Sequence, residues 1–170
     1  MDENQRVETS VKEAVTLYKR YANALMKESS FVSLLQKYSD EIHKSSQIME
    51  DIGLPNFCSY CATNIPGGGC CGSHIATWYD PILLLINLLM EVKLQQKSYY
   101  EDCCRFLGKQ GCTLKARYHF CVNYLCKGIY ESFDKTLIDR LRAQSGRELF
   151  TGWEVELFIR DFLTQEGYGL

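Results

Sequence analysis

Nine cysteines stand in this 170-residue chain, and all nine fall between positions 58 and 126. They are Cys58, Cys61, the pair Cys70–Cys71, the pair Cys103–Cys104, Cys112, Cys121 and Cys126. A lone cysteine behaves as a small hydrophobe, whereas thiolates gathered in space bind soft cations. Cys58-Ser-Tyr-Cys61 is a CxxC, a spacing that lets two sulfurs reach one cation and that recurs in zinc and iron–sulfur sites. A thioredoxin-like redox dithiol needs a strand before its CxxC and a helix directly after it. Here Ala-Thr-Asn-Ile-Pro-Gly-Gly-Gly follows, which disfavours that chemistry. The four-cysteine run of a bacterial ferredoxin and the second CxxC of a zinc ribbon are both missing from the sequence.

Counting ligands constrains the site further. A structural zinc takes four ligands and a four-iron cluster takes four thiolates, so nine cysteines exceed the demand of one centre. Either two sites exist, or several cysteines are packing residues or redox spares. Adjacent cysteines point in divergent directions, so each CC pair is expected to split. One member then ligates and the other faces a second site or the core. His74 and His119 lie near the motifs and are weighed as ligands or neighbours of the site; His43 is expected on the surface. Arg105, Lys109, Lys115 and Arg117 are expected to bring positive charge to the thiolates and lower their pKa values. No Ser/His/Asp set, phosphate loop or paired carboxylate in a glycine-rich context is recognisable, so no catalytic residue is assigned.

The longer pattern runs Cys58-x2-Cys61, a glycine-rich approach to Cys70–Cys71, and then CRFLGKQGCTLKARYHFC over 104–121. It resembles the YkgJ-like family of zinc- or iron-chelating proteins, also called CxxCxxxxCC proteins and described as containing iron–sulfur clusters. Cys104, Phe106, Leu107, Gly111, Cys112, Leu114, Arg117 and Cys121 occupy the places of the family's second segment. Three features depart from it: eight residues separate Cys61 from Cys70, Lys115 stands for a tyrosine, and Tyr118 for a proline. The resemblance covers roughly residues 58–126. It implies metal ligation by Cys58, Cys61, Cys70, Cys71, Cys104, Cys112 and Cys121, with zinc or an iron–sulfur cluster as cofactor, and leaves Cys103 outside the ligand set. Similar segments are attached to a lysine methylase acting on flagellin in some bacteria. An enzyme or accessory subunit is therefore the second reading, and a metal carrier or interaction module the third.

The elements that must hold these cysteines read as helices. About 170 residues suits a single domain over 1–170 with a real core. Residues 5–28 carry a stripe at Val7, Val11, Ala14, Val15, Tyr18, Ala22 and Leu25. A second helix, capped at Ser29 or Ser30, runs through Phe31, Leu34, Leu35, Tyr38 and Ile42 to an end at Gly53 and Pro55. Together they predict an antiparallel hairpin over 1–53, and a homodimer or protein partner could use it. The stretch 54–73 reads as irregular. Asp80 and Pro81 open an apolar helix over 82–89, expected to be the most buried. A short helix is expected near 99–107, a loop over 108–113 with a brief extended piece at Thr113–Leu114, a helix over 129–145 stopped by Gly146, and a last helix from Thr151 that buries Trp153, Leu157 and Phe158 or residues near them. The fold class is mostly α: a helical scaffold around an irregular cysteine-rich segment (54–128), followed by C-terminal helices (129–170). Composition narrows the partners. The net charge of −2 offers no basic field for nucleic acid, and the apolar run 82–90 is far short of the ~20 residues of a membrane span. The polar, acidic N-terminus has no apolar signal region. A cytoplasmic setting follows, where cysteine-rich patterns favour metal over disulfides.

Overall fold

The computed structural model describes residues 2–169, apart from the side chains of residues 66–68. Its first helix, α1 (Glu3–Leu25), opens on a reciprocal cap. The Asp2 carboxylate accepts from the Gln5 N–H at 2.7 Å, and the Gln5 side chain accepts from the Asp2 N–H at 3.1 Å. α2 (Ser29–Asp51) follows after three residues and stops where Gly53 takes φ +75°, a conformation that costs glycine little. The remaining helices are α3 (Leu54–Asn64), α4 (Pro81–Leu89), α5 (His119–Asn123), α6 (Lys127–Ser132) and α7 (Lys135–Gln165). The protein is therefore mostly α, as its periodicity predicts.

The expected hairpin of α1 and α2 is not formed. α1 lies along α4 and α2 lies along α7, while α1 and α2 barely touch. The reason is the apolar character of α4, whose residues Ile82–Asn87 and Leu89 are all buried. A helix with one apolar stripe buries more area against such an element than against another single-striped helix, at about 25 cal/mol per Å². The Asp80 carboxylate caps α4 by accepting from the Leu83 N–H at 2.8 Å.

At the C-terminal end the expected helix over 129–145 breaks at Phe133 and Asp134, which leaves its start in α6, and the rest of it is continuous with the expected last helix. α7 is 31 residues long and passes through both Gly146 and Thr151; its cap is Asp134, which accepts from the Thr136 N–H at 2.8 Å. Its buried face runs Ile138, Leu141, Gln144, Ser145, Glu148, Thr151, Gly152, Val155, Ile159 and Leu163. Because the middle of that face is polar, an apolar count places the stripe one step too far round. Trp153 and Leu157, expected inside, are 54% and 40% exposed; Phe158 is half-buried against Phe31.

Two further corrections concern the cysteine segment. The stretch 54–73 begins with α3, because Pro55 is pre-organised for a first helical turn and no breaker follows until Pro66. Short 3-10 turns over Pro66–Cys71 and Ser73–Trp78 lead on to α4. No helix forms over 99–107. Turns there enter a small hairpin, β1 (Leu107–Gly108) against β2 (Gly111–Cys112), in place of the expected loop. A main core joins α1, α2, α4 and α7 to the hairpin. A smaller one gathers Ile48, Met49, Leu54, Ile129, Ile138 and Leu141. Among the described residues, no helix is long and apolar enough to cross a membrane.

The two glycines of α7 make opposite predictions. A Cβ on Gly152 would lie 2.8 Å from Cζ of Tyr38, a buried ring, whereas a Cβ on Gly146 meets nothing within 4 Å. Gly152→Ala is expected to cost about 1–3 kcal/mol through overpacking, and Gly146→Ala to gain up to about 1 kcal/mol from helix propensity. Urea midpoints of the two variants check this; shifts in the same direction would contradict the α2–α7 packing.

Candidate metal centre

Cys58 and Cys61 stand one turn apart on α3, so both thiols lie on one face. The 3-10 turn then returns toward that face. Gly69, at φ +54°, comes so close that a Cβ there would sit 3.0 Å from the Cys61 sulfur. This turn delivers Cys70 and Cys71. The Cys104 N–H donates to the Cys71 carbonyl at 2.6 Å, and Cys103 pairs with Gly72 in an antiparallel bridge. The second cysteine segment is thereby tied to the first. Cys112 ends β2, Cys121 lies in α5, and Cys126 caps the start of α6.

One buried amide holds the second segment in place. Asn87, the polar residue of the apolar α4, donates to the carbonyls of Leu83 (2.9 Å) and Ala116 (2.8 Å) and accepts from the N–H groups of Lys115 (2.9 Å) and Ala116 (3.1 Å). Both donors and both lone pairs are used. Sequence reading missed Asn87, although a single amide inside an apolar helix was the available signal. It also missed Tyr79, fully buried, whose hydroxyl donates to Cys121 Sγ at 3.7 Å.

These constraints open a cavity of about 380 Å³ lined by Cys58, Cys70, Cys71, Cys104, Cys112 and Cys121, with Arg117 on its wall. Of the four expected cations, Arg117 is the one turned to the thiols, and it opposes the upward shifts of Cys58, Cys112 and Cys121. Behind it the fully buried Glu148 approaches at 3.9 Å, too far for a hydrogen bond, and both its oxygens lack hydrogen-bond partners. Arg105 is turned away: it pairs with Glu8 at 2.9 Å and donates to the carbonyls of Gln95 and Gln96. Lys115 lines the cavity, but its ammonium donates to the Met90 carbonyl at 3.0 Å. Lys109 sits over the Tyr99 ring.

Burial dominates the thiol chemistry. It pushes the Cys58 thiol up to about 11 and the Cys104 thiol up to about 12, with neighbouring thiols adding to both. Cys61, Cys112 and Cys121 move up for the same reason; Cys112 does so although the residue as a whole is exposed. Cys71 hydrogen-bonds to Cys70, which raises Cys71 and lowers Cys70. A pair of this kind loses its first proton readily and holds its second.

All seven predicted ligands thus come to one region, and six of them line the cavity. Among the described residues, no three Cys, His, Asp or Glu side chains meet closely enough to hold an ion as they stand. His74 and His119 are exposed and do not line the thiol cavity; His74 packs on Trp78 and His119 on Tyr118. The buried Cys103 faces the Ala62 carbonyl at 3.6 Å, outside the cavity. No family model, curated protein or solved structure matches this chain.

The raised thiols predict an alkaline weakness. Unfolded thiols ionise near 9.0, while the folded protein holds Cys58 protonated to about 11 and Cys104 to about 12. The folded state therefore binds more protons above that lower value, and stability falls as pH rises from there. For reduced, metal-free protein the urea midpoint is expected to gain from Cys70, held down to about 7, only up to about pH 9, and to drop over the interval from about pH 9 to 12. A midpoint that rises over that interval would contradict the burial of these thiols.

Proposed function

We propose that this chain is a metal-binding protein whose middle segment holds a cysteine-ligated zinc or iron–sulfur centre. One observation carries the reading: six thiols from five separate stretches of chain face a single cavity. Cysteines used only for packing are among the most deeply buried of residues. Here Cys58, Cys70, Cys71 and Cys121 are half-buried and Cys112 is exposed. The donor chemistry fits a soft cation, which prefers thiolate to water or carboxylate. A bound cation offsets the charge that makes each thiol resist ionisation beside its neighbours. The thiols do not converge as placed, so ligation requires them to close on the ion, with Asn87 and Tyr79 fixing the side that carries Cys112 and Cys121. Arg117 adds a fixed positive charge on the cavity wall. The order and spacing of the two cysteine segments favour kinship with the YkgJ-like proteins.

A second reading, an enzyme or accessory subunit that uses the centre, is favoured by one further observation. A second cavity, of about 260 Å³, shares Arg117 with the first and is lined by Tyr38, Trp78, Tyr118, Trp153 and Glu156 among others. A reactant there would share Arg117 with the thiol cavity.

Protein purified anaerobically and kept reduced is expected to carry zinc or iron in stoichiometric amount, the iron form with a visible charge-transfer spectrum. Chelation should speed hydrogen exchange in 54–73 and leave α1 and α2 protected, because ligand bonds restrain the glycine-rich turn. Reduced protein free of every transition metal would overturn the proposal.

A further inference from the structure

We infer that the cysteines form two adjoining four-thiolate sites, Cys58/Cys61/Cys70/Cys126 and Cys71/Cys104/Cys112/Cys121, so that Cys126 is a ligand and the Cys70–Cys71 junction joins two centres. This inference rests on the metal-binding reading above and adds the number of sites, the partition of ligands and the role of Cys126.

Packing separates the two groups. Cys58 and Cys126 pack against the smaller core, beside Phe57 and Leu54, whereas Cys71, Cys104 and Cys121 belong to the main core. Cys126 reaches α3 because Gly128 lets α6 approach it closely. A Cβ on Gly128 would lie 3.2 Å from the Phe57 ring and 3.8 Å from the Cys126 sulfur. Phe57 is the residue before Cys58, so this contact sets Cys126 beside the α3 thiols. Cys61 joins the same group through Gly69, which packs on its sulfur one residue before Cys70. In the other group, the Cys104 N–H to Cys71 carbonyl bond fixes two members side by side. Tyr79 touches Cys121 through its hydroxyl and lies beside Cys112. Electrostatics place Cys58 and Cys61 near Cys70 and Cys126, and Cys71 near Cys104 and Cys112, while Cys70 also acts on Cys71 and Cys121 across the junction.

The partition also resolves the ligand count. Cys70 and Cys71 interact directly, so the pair can give one thiolate to each of two adjoining centres. Eight thiols supply two sets of four, the number that zinc or a four-iron cluster takes. The ninth, Cys103, is turned to the Ala62 carbonyl. For a divalent ion each site balances as one M²⁺ and four thiols giving a dianionic tetrathiolate and four released protons. Arg117, whose charge reaches Cys58 in one set and Cys112 and Cys121 in the other, faces both.

Cobalt(II) alone, titrated anaerobically into the reduced, metal-free full chain, tests this, because thiolate-to-cobalt charge-transfer absorbance reports the ligands directly. Two equivalents are expected, with about four protons released per ion in weak buffer. Cys126→Ala should remove or weaken one equivalent by at least tenfold and leave the other; Cys121→Ala should do the same to the complementary one; Cys103→Ala should leave both. Far-UV circular dichroism identifies any variant that fails to fold, and the wild-type endpoint stands apart from all of them. An endpoint of one equivalent, or unaltered binding in folded Cys126→Ala, would overturn the two-site partition while leaving metal binding intact. No thiolate–cobalt absorbance at any ratio would overturn the metal-binding reading itself, and the partition with it.

Discussion

The second cysteine segment is held by one amide. Asn87 lies in a helix that is otherwise apolar and buried, and it pairs with three backbone groups of Lys115 and Ala116. Buried backbone groups left without partners cost about 1–3 kcal/mol each, so no apolar side chain could take its place without loosening the segment. Cys112 lies three residues before this clamp, Arg117 one residue after it and Cys121 four further on. The relative positions of thiol, guanidinium and thiol therefore depend on α4. α4 is in turn sheathed by α1 and α7, which makes the whole helical scaffold a support for that stretch of irregular chain.

Charge is arranged around the same point. Arg117 stands between the thiol cavity and Glu148, a carboxylate that burial pushes above its ordinary range despite the guanidinium beside it. Buried ion pairs without good hydrogen bonds contribute little stability, since desolvation offsets their attraction. The polar middle of α7's buried face, Gln144, Ser145, Glu148 and Thr151, is costly in a core. Its physical consequence is a cation held on the wall of a thiol-lined cavity, where a tetrathiolate would place negative charge.

The sequence made some of this legible. The stripe of α2 and the cap and burial of α4 followed from periodicity and turn chemistry, and the two cysteine segments lie in one region. The failures have physical causes. The glycines after Asn64 make 54–73 look irregular as a whole, although Pro55 is a helix-starting residue and α3 runs to Asn64. α7 was divided in two because Gly146 and a Thr151–Glu154 pattern are good local stop and start signals that tertiary packing overrode. Its buried face was misplaced because four of its central residues are polar. The spacing of Cys126 fits no motif, and the close approach of Gly128 to Phe57, which packs α6 against α3, is a tertiary contact that sequence spacing does not encode.

The central claim is that sulfur from this chain surrounds a metal. X-ray absorption at the zinc or iron edge of the purified, reduced protein tests it most directly. The account predicts a first shell of four sulfurs per metal, at about 2.3 Å for zinc, with no nitrogen or oxygen in that shell. A shell dominated by nitrogen or oxygen at about 2.0–2.1 Å would contradict it.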